Sequence, residues 1–146
     1  MTERESLPLD RRLRQEILFA RERVYRFGQP TPLERLVLPG PEPAPEIWVK
    51  REDLSPVKSY KWRGACNRMA QLTPEQRERG VVTASAGNHA QGVALAAQRH
   101  GIPGVILMPA DAPQVKIANT RAYGAEVILY DRASEDRDAL GARLTA

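Results

Sequence analysis

Between an apolar run ending at Ala84 and an alanine-rich segment beginning at Asn88 lies the stretch Ser85-Ala86-Gly87-Asn88-His89, whose residue types suit an anion. Where a strand runs out and a helix begins, free backbone amides point outward and favour negative charge. Small residues at Ala86 and Gly87 let an anion approach those amides, Ser85 and Asn88 add side-chain donors, and Gly87 relaxes the turn. One reading is a carboxylate cradle; the other is an ordinary strand-to-helix turn capped by asparagine. A second candidate is Ser59-Tyr60-Lys61-Trp62-Arg63-Gly64-Ala65, which puts a lysine at the start of a helix between two aromatic residues. A lysine amine is nucleophilic only when neutral, and desolvation or nearby positive charge, a helix N-terminus included, favours that form. Most first-turn lysines are solvated, however, and Lys50 and Lys58 are equally eligible on these grounds.

Other chemistries find less support. Gly87 and Gly92 have the separation of the glycines in a GxxxxGK[ST] phosphate loop, but Val93 and Ala94 stand where its lysine and hydroxyl belong. His89 reads as first-turn support of the Ser85 loop more readily than as an acid or base. His100 falls at a helix end, where a cation suits the dipole, and Cys66, on an apolar face, reads as a small core residue. One cysteine and two histidines make neither a disulfide nor a zinc cluster, so no metal is expected. The net charge of +4 comes from dispersed arginines, many of them between Arg11 and Arg26, where acids also occur. That pattern is a solvated helix face, and nucleic-acid binding is not expected. No apolar run approaches membrane-spanning length and no secretory signal opens the chain, which predicts a cytoplasmic protein that does not engage membranes.

The elements that position these residues follow from periodicity. Leu13, Ile17, Ala20 and Val24 form one stripe on a helix from about Leu9 to Arg26, an arm expected to pack on the main body. Six prolines between Gln29 and Glu46 make a connector, with a short edge strand near Leu36 to Leu38. A strand begins at Ile47 and runs into Arg51-Glu52-Asp53, and a helix from about Tyr60 sets Trp62, Ala65, Cys66, Met69 and Leu72 on one face. Thr73-Pro74-Glu75-Gln76 is a capping signal for a short helix that Gly80 stops. Three apolar runs follow, Val81 to Ala84, Val105 to Met108 and Val127 to Tyr130. Each precedes a helix: about Asn88 to His100, Pro113 to Tyr123, and Ser134 onward, the first two closed by Gly101 and Gly124. Apolar strands separated by helices predict an α/β fold, three layers with a mainly parallel sheet inside.

KREDLSPVKSYKWRGA (Lys50 to Ala65) and TASAGNHAQGVALAA (Thr83 to Ala97) resemble, in order and separation, two N-terminal motifs of the threonine and serine dehydratase family. These are pyridoxal-phosphate (PLP) enzymes of fold-type II, with racemase relatives. TPLERL (Thr31 to Leu36) and VILMPADAPQVKIANTRAYGAEVILY resemble the same family, so the likeness covers most of the chain from Thr31 onward. It implies residues 1–30 as a helical arm and 31–146 as the N-terminal part of a catalytic domain. It further implies that Lys61 carries PLP as a Schiff base and removes the substrate's Cα proton, and that Asn88 hydrogen-bonds the cofactor's phenolic oxygen. Ser85, Ala86, Gly87, Asn88 and His89 would hold the substrate carboxylate, and Tyr60 stands beside the ring where the family commonly has Phe. Trp62, bulkier than the family's aliphatic residue, is expected in the core beneath the site.

The implied reaction is deamination of L-threonine to 2-oxobutanoate and ammonia, a step of isoleucine biosynthesis, with L-serine to pyruvate as a second activity. The small-molecule substrate is an amino acid, and the family's habit implies a homo-oligomer. The sequence has no adjacent glycines for the phosphate-binding loop that the family carries further on, so it reads as a fragment. The alternative is a catalytically silent piece, or a carboxylate-binding α/β module.

Overall fold

In the computed structural model, which describes residues 9–40 and 45–145, helices and strands alternate as the periodicities require. Their order is α1 (Leu9–Tyr25), β1 (Leu33–Leu36), β2 (Ile47–Lys50), α2 (Lys61–Met69), α3 (Pro74–Arg79), β3 (Val81–Ala84), α4 (Asn88–His100), β4 (Gly104–Pro109), α5 (Gln114–Ala122), β5 (Glu126–Tyr130) and α6 (Arg137–Thr145). Pro41 and Pro43 of the connector lie outside the described residues.

Strands β3, β4 and β5 form a parallel sheet in that order, with Val82 opposite Val105 and Val105 opposite Glu126. The central strand explains its own composition, because Ile106, Leu107 and Met108 are all buried. Side chains alternate across a strand, so Ile106 and Met108 enter the core that α2 and α4 help build. Leu107 points the other way, toward Gly141 of α6, where an added Cβ would stand 3.9 Å from its Cδ1. With helices on both faces, continuous Val, Ile and Leu is what burial demands, and the three-layer α/β arrangement follows.

Turn chemistry closes the elements where expected. Thr73 Oγ1 accepts from Gln76 N while Gln76 Oε1 accepts from Thr73 N, a reciprocal cap that starts α3 at Pro74. Gly101 ends α4 at φ +64°, a left-handed position that glycine adopts without strain. The helix predicted from Ser134 begins instead at Arg137. Asp131 takes the Ala133 amide and the Ser134 hydroxyl, holding those residues in a turn, and Asp136 caps the amides of Asp138 and Ala139.

Three other expectations need correction. The edge strand lies at Leu33–Leu36, not Leu36–Leu38, because it pairs antiparallel with the four residues of β2, Leu33 opposite Lys50 and Leu36 opposite Ile47. Val37 and Leu38 fall beyond the partner's end and are exposed. Helix α2 stops at Met69, so Leu72 reaches the core from the following turn. The arm packs most closely near its end: Val24 is buried, whereas Leu13 and Ile17 are 58% and 59% exposed. Among the described residues no helix is long and apolar enough to cross a membrane.

Candidate active site

The first turns of α2 and α4 meet at a glycine. A Cβ built on Gly92 would stand 3.0 Å from Trp62 N and 3.1 Å from Lys61 C, so only a residue without a side chain lets the α2 backbone lie there. Gly92 is one turn beyond Asn88, which sets the start of α2 beside the start of α4. Trp62 forms the floor as expected; it is buried, and Gly28 of the connector crosses its ring at a distance that a Cβ would close to 2.7 Å.

Two serines shape the loop leading to Lys61. Ser55 Oγ accepts from Ser59 N at 2.7 Å and donates to Ser59 O at 2.9 Å, and Ser59 Oγ accepts from Lys61 N. Both are buried. Lys58 between them has φ +56°, the left-handed region that a non-glycine residue enters only when its surroundings hold it there. Lys50 is engaged elsewhere, its Nζ donating to the Thr31 carbonyl. Lys61 is exposed, with Nζ 5.0 Å from the centroid of the Tyr60 ring. The apolar surround expected at Lys61 is that ring, itself 60% exposed.

The loop after β3 departs from expectation in its capping. Gly87, not Asn88, is the cap residue of α4, at φ −137° and ψ −146°, without a side-chain cap. Its φ is not left-handed and an added Cβ would meet nothing within 4 Å, so the fold does not need glycine there, and the space beside the turn is open. Ser85 Oγ accepts from Gly87 N, which leaves its O–H as a donor, and Ser85 N donates to Leu107 O of β4. Ala86 is half-buried, while Asn88 and His89 are exposed on the first turn of α4. Asn88 Oδ1 accepts from Lys116 Nζ at 2.8 Å, which leaves Nδ2 as the amide's outward donor. One turn on, Gln91 is buried and its Nε2 has no partner among the described residues.

Beneath these turns lies a polar cluster that periodicity does not disclose. Arg63 donates to Glu52 through Nε and Nη2, to Thr31 Oγ1 at 3.0 Å and to Tyr25 Oη at 2.6 Å. Thr31 Oγ1 in turn donates to Glu52. The hydrogen bond from Arg63 is the main reason that the Glu52 carboxyl stays below the usual carboxylate range. Glu52 had looked like part of a charged loop; it ties α1, the connector and α2 together.

On the far side of α2, the Phe27 ring packs against His100 at a tilt of 51°, with ring centroids 4.3 Å apart, and Cys66 Sγ lies 3.4 Å from His100 Nε2. His100 is thus not the dipole-matched cation the sequence suggested: burial first, then Arg77, holds its pKa below 6.5. An arginine can only donate, so the Arg77 contact to Nδ1 at 3.4 Å assigns the imidazole proton to Nε2.

The family described as pyridoxal-phosphate dependent enzyme matches residues 24–146. The chain belongs to the pyridoxal-phosphate-dependent enzymes. Within the family it is 40% identical to serine racemase of Schizosaccharomyces pombe over 130 residues, 89% of this chain and 40% of that protein. To L-threonine ammonia-lyase of Thermotoga maritima it is 57% identical over 94 residues, 62% of this chain and 23% of that protein. The processed threonine deaminase isoform 2 of Solanum lycopersicum superposes with a TM-score of 0.73 at 41% identity, covering 86% of this chain and 36% of the other. The chain spans about 40% of the length of some of the curated relatives it matches and about 20% of others.

The residues present suit the family's cofactor. A primary amine and a carboxamide donor stand on adjoining helical turns, and the first turn of α4 has no side-chain cap to compete for its amides. An aldehyde needs the amine, an anionic ring oxygen the donor, and a carboxylate the amides.

Proposed function

We propose that this chain supplies the lysine and the carboxylate turn of a PLP-dependent ammonia-lyase acting on L-threonine, with L-serine as a second substrate. In this reading residues 1–30 are a helical arm and residues 31–146 the first part of the catalytic domain. The observation that supports the proposal is the contact at Gly92, where the Lys61 and Trp62 backbone lies against α4 one turn beyond Asn88. The 57% identity over 94 residues to the Thermotoga ammonia-lyase supports deamination, and the 40% identity over 130 residues to serine racemase makes racemisation the reading to test against it.

When bound, PLP supplies an electron sink conjugated with the substrate's Cα. Lys61 would hold the cofactor through its amine, and the same Nζ would take the substrate's Cα proton. The Tyr60 ring covers one side of that amine. The Ser85 to His89 turn would receive the substrate carboxylate on those of its amides that Leu107 and Ser85 do not already engage, and orient the bond to be broken. Asn88, whose Oδ1 is taken by Lys116, would have Nδ2 to donate to the cofactor's ring oxygen. The net change would be loss of water from L-threonine, as the Cα proton and the β-hydroxyl, followed by hydrolysis of the released enamine to 2-oxobutanoate and ammonia.

Incubation with PLP, borohydride reduction and peptide mapping test the reading. Label confined to Lys61 and lost in Lys61→Ala, with an unchanged circular dichroism spectrum, is the expected result. Label spread over several lysines, or none, sinks the proposal and leaves a carboxylate-binding module. Formation of 2-oxobutanoate from L-threonine tests the substrate, and D-serine as the main product from L-serine would make the chain part of a racemase.

A further inference from the structure

The hydrogen bond from Lys116 to Asn88 joins α5 to the first turn of α4 at the side chain assigned to the cofactor. Lysine offers donors and no acceptor, so this contact selects the oxygen end of the Asn88 amide. A half-turn of that amide would set its NH2 group against the ammonium, two donors face to face. The cation therefore decides between two orientations that an isolated carboxamide adopts about equally well. It also polarises the amide and strengthens Nδ2–H as a donor.

Lys116 is itself held in place. Its backbone N donates to Pro113 O and its carbonyl accepts from Thr120 Oγ1, both at 2.8 Å, and Thr120 and Ile117 of the same helix are buried. Among the described residues it pairs with no carboxylate, so its charge stays available beside Asn88.

We propose that Lys116 is a positioning residue, holding Asn88 with its Nδ2–H turned toward the anionic ring oxygen of the cofactor. The inference rests on the reading of Lys61 and Asn88 given above. A merely structural Lys116 would tether α5 to α4 whatever Asn88 does, and a double-mutant cycle separates the two roles.

The half-saturating PLP concentration for borohydride-trapped label at Lys61 is measured in the wild type, Lys116→Met, Lys116→Arg, Asn88→Ala and Lys116→Met with Asn88→Ala. Side-chain amide resonances of Asn88 are followed in isotope-labelled protein before PLP is added. Lys116→Met is expected to move those resonances and to raise half-saturation about three- to fivefold, the scale of an exposed charge-assisted contact. Lys116→Arg restores most of the loss, and Lys116→Met adds nothing once Asn88 is alanine. Wild-type half-saturation in Lys116→Met, or an equal loss in the Asn88→Ala background, overturns the inference while the Lys61 reading stands. A wild type without label at Lys61 overturns both.

Discussion

Cys66 and Lys61 stand five positions apart and have opposite surroundings. Cys66 has no exposure, and burial pushes its thiol up to about 11. The thiolate is the reactive form, so this residue is inert in the folded chain. A disulfide reagent at about pH 8 should leave the native protein unmodified over a time in which the urea-unfolded protein reacts fully, and fast native reaction would show that the helix is not packed as described. Lys61 is exposed, beside a single aromatic ring. Residue types made Lys61 one of three eligible lysines; of these, Lys50 donates to the connector, while Lys58 and Lys61 are both exposed.

At the scale of elements, two devices set α2 against its neighbours. Gly92 admits its backbone against α4, and a methyl there would meet backbone atoms at 3.0 and 3.1 Å that cannot move without shifting the helix. Gly92→Ala is therefore expected to destabilise the fold by about 1–3 kcal/mol, read from urea midpoints, and to reduce PLP label at Lys61. A variant as stable as the wild type and fully labelled would refute that account of the contact. The second device is the half-buried cluster of Arg63, Glu52, Thr31 and Tyr25, which gathers three segments of chain onto α2. In Glu52→Ala the guanidinium loses its carboxylate partner, and a drop of about 1–3 kcal/mol is expected because a partly buried donor is left unsatisfied. An unchanged urea midpoint would show the cluster to be incidental.

For the whole molecule, acid sensitivity follows from where the protons go. The folded pKa of His100 lies below 6.5, so between that value and 6.5 the unfolded chain binds more protons than the folded one. Stability is level above that window and falls as pH drops through it. Glu52 acts lower down: its folded pKa lies below 4.5, so its contribution is present above 4.5 and is lost as pH falls through the folded value. Urea midpoints against pH should descend in two stages, the upper one absent in His100→Gln. Persistence of the upper stage in that variant would assign it to another group.

The linear order of residues determined the parallel α/β frame almost to the residue, because a strand buried on both faces must be apolar throughout and helix ends carry local signals. Asn88–His100 matched, and the capping box at Thr73 formed. It also determined the family, through two motifs in register. What lay beyond it were contacts between residues far apart in the chain: Arg63 with Tyr25, Phe27 with His100, Lys116 with Asn88. Periodicity reports which face of an element is apolar, and it carries no record of which polar group on another element will meet it. That is why Glu52 read as one residue of a charged loop and His100 as a cation until packing supplied their partners. The arm shows the same limit, since an apolar stripe states a need for burial and only tertiary structure decides how much of it these residues meet.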